Sequence, residues 1–343
     1  MRLRLSNIAT GAALTACAAS ASAQSVDTRG IRDAMKNFAR SYQGRDRGPE
    51  QTDRFSGKYK IARDGRLSLA NISGDIAVTG GSGDEVVVEA VKRTRGDRSR
   101  LADVRIDVSN SPTRVDIRTD YPRFGNTNAS VDYTVTVPNG VSIELHSVSG
   151  AIKVTGVRGA VRAETISGHV TIGDAPNVEL AKTVSGDVSL SGISTEGNLS
   201  AGTVSGTITA KGLKARRVEL SSVSGDVNLT DVNASSVRAK SVSGGFEYSG
   251  SIAKGGEYDV NVHSGTIRFA LSNPPGFYLN ADSFSGSIRT DFPVTIGGTN
   301  TRDTDDRRRG RTGIGRSIHG VNGDGSATLT LRTFSGDIVI SKR

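Results

Sequence analysis

The chain has 343 residues, 42 of them glycine, with aromatics at 5%, no tryptophan and one cysteine. Apolar residues make up 35%, lean for a wide globular core and better suited to many short strands with tight corners. The formal net charge is +9; no apolar run is long enough to cross a bilayer, and a single cysteine excludes a disulfide-stapled scaffold.

The chain opens with "MRLRLSNIATGAALTACAASASAQ". A basic start (Arg2, Arg4), an alanine-rich apolar stretch and Ala21-Ser22-Ala23 before Gln24 read as a secretory signal peptide over residues 1–23. A second reading stays open, because Leu14-Thr15-Ala16-Cys17 resembles a bacterial lipobox that would make Cys17 a lipidated first residue. Both readings place the mature protein in the periplasm or at the cell surface.

Residues 24–54 stand apart from the rest of the chain. Ile31, Met35, Phe38 and Tyr42 recur at helical spacing, with Asp27 or Thr28 available as a cap. The pattern predicts a short amphipathic helix, followed by "YQGRDRGPEQTDR" as a linker. Gln24–Lys60 holds nine Lys/Arg and five Asp/Glu, so +4 of the +7 that remains after Arg2 and Arg4 lies there. Such a tail favours an anionic envelope partner, a glycan or lipid, over nucleic acid in an exported protein. The plainer alternative is a solvated, charged leader.

Residues 55–140 read as alternating strands with irregular spacing, among them "DEVVVEAVKR" and "SVDYTVTVPNG". From 141 to 290 the spacing becomes regular. Ser-Gly pairs end at Gly150, Gly168, Gly186, Gly206, Gly225, Gly244, Gly265 and Gly286, in steps of 18, 18, 20, 19, 19, 21 and 21 residues. That is the period of a small solenoid coil. The apolar residue two places after each glycine (Ile152, Val170, Val188, Ile208, Val227, Phe246, Ile267, Ile288) predicts an interior ladder. Within "RRVELSSVSGDVNL", counting by twos from Val218 reaches Ser222, while Val223 is the apolar residue. The reading is that inward parity slips there and Val223 faces the core. Glycine is expected at the corner for its backbone freedom and serine for a hydroxyl bond to nearby backbone.

Gly286 to Gly336 spans 50 residues. Within it, 297–326 is polar, glycine-rich and without periodicity, and reads as an exposed insertion. "ATLTLRTFSGDIVISKR" (327–343) returns to the pattern as a final coil.

Chemistry-bearing motifs are few. Asp75, Asp187, Asp226 and Asp337 share the position after the motif glycine. Asp187 and Asp226 fall two coils apart, about 9–10 Å, too far to share a metal and more in keeping with turn residues. His146 and His169 occupy different coil positions, and His263 and His319 lie in no zinc-binding spacing. No phosphate-binding loop or nucleophile elbow occurs, so no cofactor, metal or catalytic residue is expected.

"LANISGDIAVTGGSGDEVVVEAVKR", the repeated "VSGDV" and "VSGTI" coils and the closing "GDGSATLTLRTFSGDIVI" resemble the bacterial "putative adhesin" family over about 55–343. The resemblance implies an exported, single-stranded parallel β-solenoid of the cell envelope, and supplies no catalytic residues. The reading is therefore an all-β, non-enzymatic adhesin-like or scaffolding protein. Its candidate contacts to an anionic polymer are Arg40, Arg45 and Arg47 in the tail and Arg307, Arg308, Arg309 and Arg311 in the insertion. Two alternatives are a β-helix enzyme acting on an acidic polysaccharide and a protein-binding partner in envelope-stress signalling.

Overall fold

The computed structural model describes residues 49–95, 98–122, 128–295 and 316–343. The predicted N-terminal helix and Cys17 lie outside these residues. The one helix among the described residues is a short turn, Ser99–Asp103, anchored by buried Leu101. Everything else regular is strand, joined in a single, mostly parallel 24-stranded sheet that coils on itself.

From Ser142 to Lys211 each coil contributes one longer strand before its glycine and one shorter strand after it, and in the next two coils the strands Val227–Ser243 and Phe246–Ser264 run unbroken from one corner to the next. Coil stacks on coil in parallel register: Ile152 pairs with Val170, Val170 with Val188, Val188 with Ile208 and Ile208 with Val227. These residues are buried, as the interior ladder predicts, and face the alternating inward residues of the longer strands, such as Val218 and Leu220. The inward residues of the longer strand include buried alanines, Ala163, Ala181 and Ala201. Where the coils lengthen, aromatic rings fill the widened core: Phe269 lies 5.1 Å from Tyr248 and 5.7 Å from Phe246. The Tyr248 hydroxyl donates to the carbonyl of Ser251 at 2.6 Å, which satisfies the one polar atom this ring brings inside.

The corner glycines stack directly on one another. A Cβ on Gly206 would sit 2.1 Å from the carbonyl oxygen of Gly186, and the backbone there has φ +146°. Only glycine meets both conditions. The hydroxyl that serves this corner comes from three residues before the glycine rather than from the adjacent serine. Thr165, Thr183 and Thr203 are buried and donate to the carbonyls of Gly150, Gly168 and Gly186 at 3.1, 2.9 and 2.9 Å. This corrects the reading of parity in the repeat. Ser222 points inward and bonds the carbonyl of Gly225, while Val223 points out and is 46% exposed. The alternation runs unbroken to the corner, because a small hydroxyl fits the interior there, bonded at Thr165, Thr183, Thr203 and Ser222.

The ends depart from chain order. The strand Arg114–Asp120 packs outside Arg66–Ser73, which in turn pairs with Ser142–Ser149. At the other end, Ala327–Ser335 lies between Phe246–Ser264 and Phe277–Ser285. The coil that is final in sequence is thus next to last in space. Antiparallel strands close each end: Arg105–Ser111 and the pair Glu85–Thr94 and Gln51–Lys60 at one, Arg316–Asn322 at the other. Two sequence boundaries move accordingly. Gln51–Arg54, assigned to the linker, are strand, and Arg316–Asn322, assigned to the polar insertion, pair with Phe277–Ser285. Both segments are edge strands with one apolar side or none, which masks them in a composition reading.

Candidate functional site

The outward-facing residue two places before each corner glycine is apolar in nine of the ten coils. One half of the row is Ile72, Val148, Ile166, Val184 and Val204, and the other is Val223, Val242, Phe334 and Phe284, each 44–52% exposed. His263 fills the remaining place, between Val242 and Phe334. The rings there lie parallel, His263 to Phe334 at 5.0 Å and Phe334 to Phe284 at 4.7 Å, with interplanar angles of 7° and 6°. Nine strand spacings make this ridge about 43 Å long.

Beside the ridge runs a second outward row, four places before the glycine, and between the two rows lies a groove. Its two stretches, of about 760 and 630 Å³, meet at Ser221. The floor is the buried hydroxyl row, including Ser147, Thr183 and Ser241. The second wall carries His146, Glu164 and Lys182 toward one end and Lys240, Asn261, Arg332 and Asp282 toward the other. The ridge is the feature that the sequence reading missed, since it placed Val223 in the core. Strict counting by twos from Val218 would have found it.

The aspartates after the glycines have a structural task. Asp75, Asp187, Asp226 and Asp337 each accept the backbone N–H of the next coil, from Ala151, Thr207, Gly245 and Ser287, at 2.7–2.8 Å. At Asp337 the N–H and hydroxyl of Ser287 together hold the carboxyl below the ordinary carboxylate range. His169 takes the same place in its coil and accepts the N–H of Asp187 through Nδ1. The other histidines scatter: His146 lies 3.4 Å from both Glu144 and Glu164, and His319 lies 3.4 Å from Asp282. Among the described residues no three His, Cys, Asp or Glu side chains converge as a metal site. Arg40, Arg45, Arg47, Arg307, Arg308, Arg309 and Arg311 all lie outside the described residues.

Among solved structures, a Bacteroides fragilis protein described as a "putative adhesin" matches 85% of this chain and 97% of its own, at 14% identity and a TM-score of 0.42. A Parabacteroides distasonis protein described as a "putative lipid binding protein" matches 67% of this chain and 92% of its own, at 15% identity and a TM-score of 0.41. A Clostridium sporogenes protein described as a "putative cell adhesion protein" matches 85% of this chain and all of its own, at 11% identity and a TM-score of 0.29. No curated protein matches the sequence. The family model of Toastrack DUF4097 matches residues 62–341, the whole run of coils from the first Ser-Gly corner to the last. The chain belongs to the Toastrack DUF4097 family.

Proposed function

We propose that this is a non-enzymatic, exported binding protein of the cell envelope, adhesin-like in that it attaches through its groove to the acyl chains of envelope lipids. One observation carries the reading: nine exposed aliphatic or aromatic side chains in register along one ridge. Single exposed apolar residues are ordinary, but a contiguous row marks a binding surface. Nothing in the fold requires the row, because an outward position in a stacked coil accepts any polar side chain without loss of packing.

The occupant follows from what the groove offers. The strands beneath it are hydrogen-bonded to neighbours on both sides, so a peptide laid along it finds no open edge to extend. Its own amides would lose water against the ridge with nothing in return. A hydrocarbon chain brings no such groups and gains by covering the ridge.

The test is titration calorimetry with a 16-carbon lysophosphatidylcholine below its micelle concentration. Val184→Asn/Val204→Asn changes two exposed ridge positions without touching the core. Half-covering two valines is worth about 1–2 kcal/mol, so affinity should drop on the order of tenfold. The same exchange at Thr171 and Thr209, on the shorter-strand face, should leave it unchanged. Equal affinity for both variants would refute the reading.

A further inference from the structure

Resting on the reading that the groove takes an acyl chain, the geometry points to a headgroup site at one end: an anionic lipid, its phosphate held between Lys240 and Arg332, its chain running toward Ile72. The two halves of the groove differ in charge. Around Ile72–Val204, Arg118 and Lys182 face Asp120 and Glu164, which cancel them. Around Val223–Phe284, Lys240, Arg316 and Arg332 face Asp282 alone. Asp282 is already engaged twice, by Arg332 at 3.8 Å and by His319 at 3.4 Å. Among the described residues neither Lys240 nor Arg316 has an acidic partner or a side-chain hydrogen bond. The half therefore carries a surplus of two cations beside an apolar ridge.

The register locates the site. Lys240 pairs with Asn261 and Asn261 with Arg332, which sets the two cations two strand spacings apart, about 10 Å. Asn261 between them is short, and its amide turns aside to donate to Asp259 at 2.8 Å. Two long side chains can thus close from either side on a phosphate seated above Asn261, next to the ring of His263. Arg332 keeps a planar donor fork, of the kind that suits phosphate oxygens.

The direction of the chain follows. Beyond Arg332 the ridge has only Phe284 left, while toward the other end it continues from Val242 to Ile72 over seven places, about 29 Å. Only that direction is long enough for a lipid tail.

The experiment compares lysophosphatidylglycerol with lysophosphatidylcholine of the same chain length, by calorimetry on the purified protein at low salt. The anionic lipid should bind at least tenfold more tightly, and 0.5 M salt should erase most of the difference. Lys240→Gln/Arg332→Gln should abolish the preference, costing lysophosphatidylglycerol at least tenfold and lysophosphatidylcholine much less, since choline already neutralises the phosphate that both lipids carry. Both positions are solvent-exposed, and the single variant Lys240→Gln should lose part of the preference if the pair proves unstable. Lys153→Gln/Arg268→Gln removes the same charge from the shorter-strand face and should retain the preference. Equal binding of the two lipids, or a preference that survives Lys240→Gln/Arg332→Gln, overturns the headgroup site and leaves the acyl-chain reading standing. Binding of neither lipid overturns both.

Discussion

Replacing Gly206 by alanine tests the corner stack where it is most regular. The residue sits at φ +146°, a region that costs a side-chain-bearing residue about 1–3 kcal/mol. The new Cβ would lie 2.1 Å from the carbonyl oxygen of Gly186 and 2.6 Å from its carbon. Relief requires the two coils to part by about 1 Å, since carbon and oxygen pack no closer than roughly 3 Å. Parting stretches the bonds from Gly186 N–H to Ser205 O at 2.9 Å and from Thr207 N–H to Asp187 Oδ1 at 2.8 Å. Each is worth about 1 kcal/mol net, so the sum is about 3–5 kcal/mol, a large share of the 5–15 kcal/mol of a typical domain. Gly173→Ala is the control, because a Cβ there meets only the Ser191 hydroxyl oxygen at 3.3 Å. Urea unfolding followed by far-ultraviolet circular dichroism should show a large drop in midpoint for Gly206→Ala and little change for Gly173→Ala. Equal midpoints for the two variants would refute the claim that the glycine column sets coil spacing.

Two further outcomes concern the interior. Thr203→Val keeps shape and removes the 2.9 Å bond to Gly186 O; the expected loss is about 1 kcal/mol, near the low end because Ser147 and Ser241 occupy the same position with no partner among the described residues. Burial pushes the Tyr133 phenol up to about 12 and raises Tyr248 and Tyr258 as well. The folded state thus favours the protonated phenols, so their contribution is complete below the unfolded value of about 10 and is lost as pH rises through the folded values. Absorbance at the phenolate band should therefore show these rings ionising together with unfolding, above a pH of about 12. Gradual ionisation of every tyrosine near a pH of about 10 in a folded protein would contradict their burial.

Much of this fold is legible in the sequence because the repeat carries its own register. A Ser-Gly pair every 18–21 residues fixes coil length, and the residue two places on (Val170, Val188, Ile208) identifies one interior ladder. The ridge is harder to read, because hydrophobicity at Val223 suggests burial, although strand parity already points that side chain outward. The hydroxyl ladder escapes for the mirror reason: Thr203 and Ser222 are polar, yet buried. Neither groove wall shows in composition, since its charges come from different coils and meet only by stacking.

Spatial order is the part that the repeat conceals. Identical corners are interchangeable, so nothing local tells the coil at Gly336 to enter between those at Gly265 and Gly286, yet each of these glycines lies against its spatial neighbour. The cost is the long connection between Ser285 and Ala327, and closure entropy grows only slowly with length. The gain is at both ends. A solenoid whose last coil simply stopped would leave an open parallel edge; here the first and last coils in sequence are each flanked on both sides, and antiparallel strands cover the stack. The return also completes the groove. It puts Phe334 between His263 and Phe284 and Arg332 between Asn261 and Asp282. In simple chain order Asp282 would stand next to Asn261, with its negative charge where the proposed phosphate sits. The cationic end of the groove is thus a product of topology, and the segment that locks the fold supplies one of the two side chains assigned to the headgroup.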